Sequence, residues 1–150
     1  MITKVFQFFH TNLLHKVYVF WFLLKIAFAL IWRGAKHDWS KFTWTEMKHV
    51  IPYLPGPGCN YQDPEYQAYL SKAQVAIDHH HKMNSHHPEH RGEYWRMSML
   101  DLIEMVCDWK AASLRKTGGG SLSQSFIYCQ GKYGIQEETM IFLKTLEPYL

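Results

Sequence analysis

Lys36-His37-Asp38-Trp39-Ser40-Lys41-Phe42 separates two kinds of chain. Before it lies a long apolar run, and after it come short segments rich in histidine and acidic residues. An imidazole and a carboxylate on neighbouring residues rarely reach the same atom. At a helix end they can, and both are ligands for a borderline or hard divalent cation. A His-Asp dipeptide alone is weak, so its surroundings decide the reading.

Upstream, Thr11 to Arg33 reads as one helix, with Thr11 or Asn12 as cap and Gly34 as terminator. Apolar residues occupy nearly every face, which predicts a central helix covered on several sides. Val17 to Trp32, interrupted by Lys25, is shorter than the roughly 20 residues a bilayer span needs. A lysine near mid-membrane costs about 2.5–3.5 kcal/mol. No small-residue cleavage site follows, as a signal peptide would require. The leading expectation is a buried helix of a cytoplasmic protein with no membrane partner, and a membrane-anchored accessory protein is the lesser alternative. His15 lies near the start of this helix, and an antiparallel return of the chain would bring it to His37.

Downstream, Asp38 to Lys48 looks like a helix start, with Ser40 or Thr43 as caps and Thr43-x-x-Glu46 as a capping box. Pro52, Pro55, Gly56, Pro57 and Gly58 make a loop. Asp63-Pro64 opens the next helix, and Tyr66, Tyr69, Leu70, Ala73, Ile77 and His80 share one of its faces. That helix delivers its C-terminal end into a cluster holding His79, His80, His81, His86, His87 and His90. Met97 to Lys116 is a strong amphipathic helix with Asp101, Glu104 and Asp108 on its polar side, and Gly118 to Gly120 beyond it reads as a connector. Ser121-x-x-Gln124 restarts a helix, Tyr133-Gly134 turns, and Glu137 to Leu146 closes the chain. The reading is an all-α, compact single domain over residues 1–150, a bundle of about six helices.

Composition agrees. A chain of 150 residues, 47% hydrophobic and 19% charged, buries a proper core in one domain. A net charge of +3 suits an anionic small molecule and is far from the footprint of a dedicated DNA binder, so no stable nucleic-acid complex is expected. Cys59, Cys107 and Cys129 are odd in number, with no CxxC pair, and read as reduced thiols. Trp39, Trp44, Trp95 and Trp109 read as packing residues.

The ordered set of His15, His37-Asp38, the histidine cluster and Asp108 resembles the HD-domain superfamily of metal-dependent phosphohydrolases. His37-Asp38-x-x-Lys41 looks like its HD-x-x-K stretch, and Met105-Val106-Cys107-Asp108 resembles the apolar helix that carries its last aspartate. A closer resemblance is to domain-of-unknown-function family 5662, which is often carried by phages. It matches at His15 to Val19, His37 to Phe42, the His79, His80, Asn84, His86 and His87 cluster, and Glu104 to Trp109. The resemblance implies an HD-like fold in which His15, His37, Asp38 and Asp108 hold a divalent metal, with His86 and His87 available for one or two ions. Mn, Fe, Co, Mg, Ni and Zn all suit such ligands. The spacing from His15 to His37 is short for the superfamily, which makes His15 the less secure ligand.

Such a site activates water and draws charge from a phosphoryl oxygen. His79 and His80 are candidates to orient water, protonate a leaving oxygen or bind a second metal, and Glu46 to position water. Lys41, Lys82, Arg91, Arg96 and Lys110 are candidates to neutralise phosphate oxygens. The leading expectation is a phosphohydrolase acting on a nucleotide or another small phosphoester. The alternative is a non-catalytic HD-like protein that captures a nucleotide or a protein partner, such as a phage accessory protein. A homo-oligomer is compatible with either. An HNH-type nuclease, suggested by the His-His-x-x-x-Asn pattern, fits poorly, because that chemistry wants a hairpin where this sequence predicts a helix end.

Overall fold

Ile2–Lys36 forms one uninterrupted helix, α1, that runs straight through Gly34. The computed structural model of the protein describes residues 2–56, 59, 63–115 and 121–150, with the backbone alone at Arg115. By its contacts the chain divides into two compact units, Met1–Lys36 and His37–Leu150.

In the first unit, α1 starts nine residues earlier than the caps Thr11 and Asn12 suggested. Asn12 instead turns its amide back to the Phe8 carbonyl at 2.8 Å. The expectation of a covered central helix is corrected: α1 has no buried residue. Most of its large apolar side chains, among them Phe8, Phe20, Trp21, Phe28 and Ile31, are exposed, and Leu24 and Leu30 are half-buried.

In the second unit a short 3-10 turn at Trp39–Phe42 leads into α2 (Trp44–Val50). Then follow α3 (Pro64–Lys72), α4 (Gln74–Met83) and α5 (Pro88–Arg91). The unit ends with α6 (Met99–Arg115), α7 (Leu122–Tyr133) and α8 (Glu137–Lys144). Among the described residues there are eight α-helices rather than six. The difference arises at Ala73, where the single helix expected from Asp63 to His80 breaks into α3 and α4, and at the four-residue α5. Ala73 has φ −84° and ψ 3° and is wholly buried. Alanine is the best helix former, so nothing local calls for a break there.

Several local signals are realised. Pro64 and Pro88 each stand in the first turn of a helix, where a missing N–H costs nothing. Ser121 and Gln124 form a reciprocal capping box. Gly134 takes φ 62° to end α7, a left-handed conformation that glycine adopts freely. The capping box expected at Thr43 and Glu46 does not form. Thr43 donates its hydroxyl to the Ser40 carbonyl at 2.7 Å, and Glu46 is buried and committed elsewhere. The closing helix stops at Lys144, short of Leu146. Pro57, Gly58, Lys116 and the Gly118 to Gly120 connector lie outside the described residues.

The apolar core joins α6, α7 and α8 through Met105, Val106, Phe126, Met140 and Leu143, with Tyr94 and Met97 at its edge. Burying such side chains is worth about 1.5–3 kcal/mol each. Tyr94 is also tied in by its hydroxyl, which accepts the Gln136 backbone N–H at 2.9 Å. Trp109 packs edge-on against Phe126, with ring centroids 6.0 Å apart. It is the one tryptophan of the four that behaves as expected, since Trp39, Trp44 and Trp95 are all exposed. This core fixes one face of α6 and leaves its acidic face for α4 and the turn after His37.

Candidate metal centre

Asp38 has φ 56° and ψ 22°, the only non-glycine positive φ among the described residues. Asparagine and aspartate are the residues that tolerate this left-handed conformation best. The twist lets two successive side chains serve one place. His37 Nε2 lies 3.3 Å from Asp38 Oδ2 and 3.5 Å from Asp108 Oδ1 of α6. Asp38 Oδ1 lies 3.2 Å from His80 Nε2 and 3.4 Å from His86 Nε2. His87 Nε2 is 3.0 Å from His80 Nε2. The chain thus brings together His37, Asp38, His80, His86, His87 and Asp108.

Two overlapping groups have ligand atoms close enough to share an ion. One is Asp38, His80, His86 and His87; the other is His37, His86 and Asp108. Asp38 Oδ1 and His86 Nε2 are buried, face each other, and have no hydrogen-bond partner. An unsatisfied buried polar atom costs about 1–3 kcal/mol, and two aimed at one point fit a shared cation. Mixed imidazole and carboxylate donors suit Mn, Fe, Co, Ni or Zn better than Mg or Ca, which prefer oxygen alone.

Behind the imidazoles stand two glutamates. His37 Nδ1 is 2.9 Å and His86 Nδ1 3.2 Å from Glu104 Oε1. His80 Nδ1 is 3.3 Å from Glu46 Oε2, and His79 Nδ1 is 2.9 Å from Glu46 Oε1. When each Nδ1–H donates to its glutamate, the Nε2 lone pairs of His37, His80 and His86 are left pointing inward. Metal-ligating histidines are held in this way, with a carboxylate fixing tautomer and ring orientation. Ser40 adds a second hold on His80, its hydroxyl 3.0 Å from Nδ1. Asn84 donates its amide to Ser40 Oγ at 2.7 Å and to the His80 carbonyl at 2.8 Å.

The electrostatics follow this geometry. The carboxylates of Asp108, Asp38 and Glu104 push the His37 pKa up to about 11, against burial. Burial alone would raise Asp38, yet His37, His80, His86 and Lys41 hold its carboxyl far below the usual range. Asp108 is likewise lowered, with burial opposing and His37 prevailing. Burial, then the neighbouring His86, His80 and His81, drives His87 down to about 3, so its imidazole is neutral at neutral pH. The pull that these carboxylates exert on a proton at His37 is the pull that they would exert on a cation.

Other expected residues sit differently. His15 lies exposed on α1, about 30 Å of helix rise before Lys36, and is not part of this group. Glu46, expected to position water, is 3% exposed behind His79 and His80. Lys41 ion-pairs with Asp38 Oδ2. Arg96 pairs with Glu93 at 3.2 Å. Lys82 and Arg91 are exposed, and Lys110 is half-buried on α6. His81 joins His87 and Glu89 in a third, more open group, while His90 is exposed. A cavity of about 220 Å³ lined by Glu89, Tyr94, Trp95 and Lys132 holds none of the six gathered residues. Glu104, Ser40 and Asn84 were not expected in the site. Glu104 had a visible signal, since it precedes Asp108 by one turn on the same face of α6.

Residues 4–146 match the family model described as "Family of unknown function (DUF5662)". No curated protein and no solved structure matches the chain.

Proposed function

Because the chain belongs to the family of unknown function DUF5662, its chemistry has to be read from its own side chains, and we propose that it is an HD-type, metal-dependent phosphohydrolase acting on a nucleotide or a similar small phosphoester. The observation that carries this reading is the pair of buried atoms Asp38 Oδ1 and His86 Nε2, without a hydrogen-bond partner and 3.4 Å apart among further ligand-type side chains. His37, Asp38, His80, His86 and Asp108 would hold the ion, with His87 beside it. A bound divalent cation supplies Lewis acidity and brings the pKa of a coordinated water toward neutrality.

The rest falls to the chain. Glu104 and Glu46 keep the imidazoles in the tautomer that presents Nε2. His87, neutral at neutral pH, can orient a water by a hydrogen bond, while a pKa near 3 makes it too weak a base to take that water's proton. Asp108 is only partly buried, with 29% of its side chain exposed, so the site is open on its side to a substrate. Lys41, half exposed beside Asp38, offers the nearest positive charge to a phosphate oxygen.

The test is elemental analysis of protein purified without added metal, alongside His37→Ala and Asp108→Ala, followed by turnover of a nucleotide panel. The expected result is stoichiometric metal and metal-dependent release of phosphate in the wild type, with both lost in the variants. Metal content unchanged by both substitutions rejects the ligand set. Metal retained with no turnover of any phosphoester favours a binding protein built on the same site.

A further inference from the structure

The first unit carries a surface that the hydrolase reading does not use. Helix α1 is long and apolar enough to cross a membrane, yet none of its apolar window is buried. Exposed aromatic and aliphatic side chains run its whole length, from Phe6 and Phe9 through Leu13, Phe20 and Leu23 to Phe28 and Ile31. Isolated exposed apolar residues are ordinary, but a continuous surface of this size marks an interaction site.

Most of the polar residues share one side, although Thr3, His10, Asn12 and Lys16 lie off it. Lys4, Gln7, Thr11, His15, Tyr18, Lys25, Arg33 and Lys36 fall on one line at steps of three or four, with Phe22 and Ala29 filling the two remaining places. Only Lys16 among the cations stands off that line. The segment contains no aspartate or glutamate. Lys25 and Lys36 lie over the rings of Trp21 and Trp32, at 5.5 Å and 4.7 Å from their centroids, so these cations rest beside apolar neighbours.

We propose that α1 lies in the plane of an anionic lipid surface, with its apolar sector among the acyl chains and its cationic line at the headgroups. Charge decides between occupants. A second copy of a helix that has cations and no acids offers like charge to like, whereas an anionic headgroup layer offers complement. Length and pattern decide between lying and spanning. At 35 residues the helix is about 52 Å long, well beyond the roughly 30 Å hydrocarbon layer. Spanning would also sink Lys25 toward mid-bilayer, while an in-plane helix keeps it level with Lys4, Arg33 and Lys36. Interfacial amphipathic helices have this composition, basic on the polar side and Trp, Phe and Leu on the other. The earlier expectation of no membrane partner assumed a buried helix, and that premise does not hold.

The experiment is co-sedimentation of the full chain with vesicles of phosphatidylcholine alone or with one-third phosphatidylglycerol. Binding is expected to the anionic vesicles and to weaken with salt. Each cation near such a surface contributes about fivefold in affinity, so Lys25→Gln, Arg33→Gln and Lys36→Gln together should weaken binding about a hundredfold. Lys16→Gln, off the line, should cost less than any one of them. Equal binding to neutral vesicles that survives salt and alkaline carbonate indicates a span and overturns the proposal. Absence of vesicle binding also overturns it, whether the chain then self-associates through α1 or stays monomeric.

Discussion

The two units invert each other. Along α1 the apolar residues face outward and none is buried, while between the turn at Trp39–Phe42 and helices α4 and α6 it is Asp38, Glu46, His80 and His86 that are withdrawn from solvent. Either arrangement is expensive in water unless something compensates. The comparison teaches that burial here is set by partners rather than by polarity. The charged cluster is compensated from within, by reciprocal carboxylates and imidazoles. The apolar helix has no buried residue, and the lipid surface proposed above would supply its compensation.

The comparison breaks first at the cluster. If the proposed reading holds, replacing Asp38 or His86 by alanine should abolish metal retention and lower phosphoester turnover by at least about a thousandfold, since a metal-activated water would then carry most of the rate. Metal analysis and single-turnover kinetics check this. Next comes the ordinary core beside it. Phe126→Ala, a deletion at a residue 1% exposed, should destabilise the protein by about 3–5 kcal/mol, read by chemical denaturation.

Smaller in effect is the hold behind the ligands. Glu104→Ala should weaken metal affinity about 10–100-fold, and Glu104→Gln should recover only part of it, because the two Nδ1–H groups that meet at Oε1 would then face an uncharged and weaker acceptor. Competition with a chelator measures the difference. The pH response has a fixed sign. Asp38 and Asp108 have lowered pKa values in the fold, so they contribute stability fully present above the ordinary carboxylate range and lost as pH falls below it toward their lowered folded values. His37, raised to about 11, contributes to the metal-free protein below its ordinary value of 6.5 and loses that contribution as pH climbs toward 11. Urea titrations of metal-free protein across pH should show the acid loss, and metal affinity should rise with pH as His37 surrenders its proton.

The smallest effect belongs to α1. Phe20→Ser, at a residue 66% exposed, should change unfolding free energy by no more than about 0.5 kcal/mol in the absence of lipid. A larger loss would show that α1 has partners within the chain, and the contrast between the units would fail.

Much of the site was legible because its residues cluster in the sequence. His37 and Asp38 are adjacent, His80, His86 and His87 sit in one short tract, and Asp108 follows an apolar helical face. Glu104 was missed because an acidic residue on a polar helix face reads as solvated until the histidines opposite it are known. Glu46 was misread for the reverse reason: its spacing from Thr43 satisfies a local rule, and the tertiary partners His79 and His80 override it. The break at Ala73 had no signal, as alanine favours continuing the helix. Apolar α1 was taken for a core element because pattern reports which residues avoid water and is silent on what shields them.

The left-handed backbone at Asp38 narrows what evolution or engineering can place there. For most L-residues that conformation costs about 1–2 kcal/mol, a penalty that aspartate and asparagine largely escape. Glutamate, the obvious conservative exchange for a carboxylate ligand, would bring an ill-suited main chain and one methylene too many. At this position the backbone, before any chemistry, restricts the usable alphabet to about three letters, glycine, asparagine and aspartate, and only one of them carries charge.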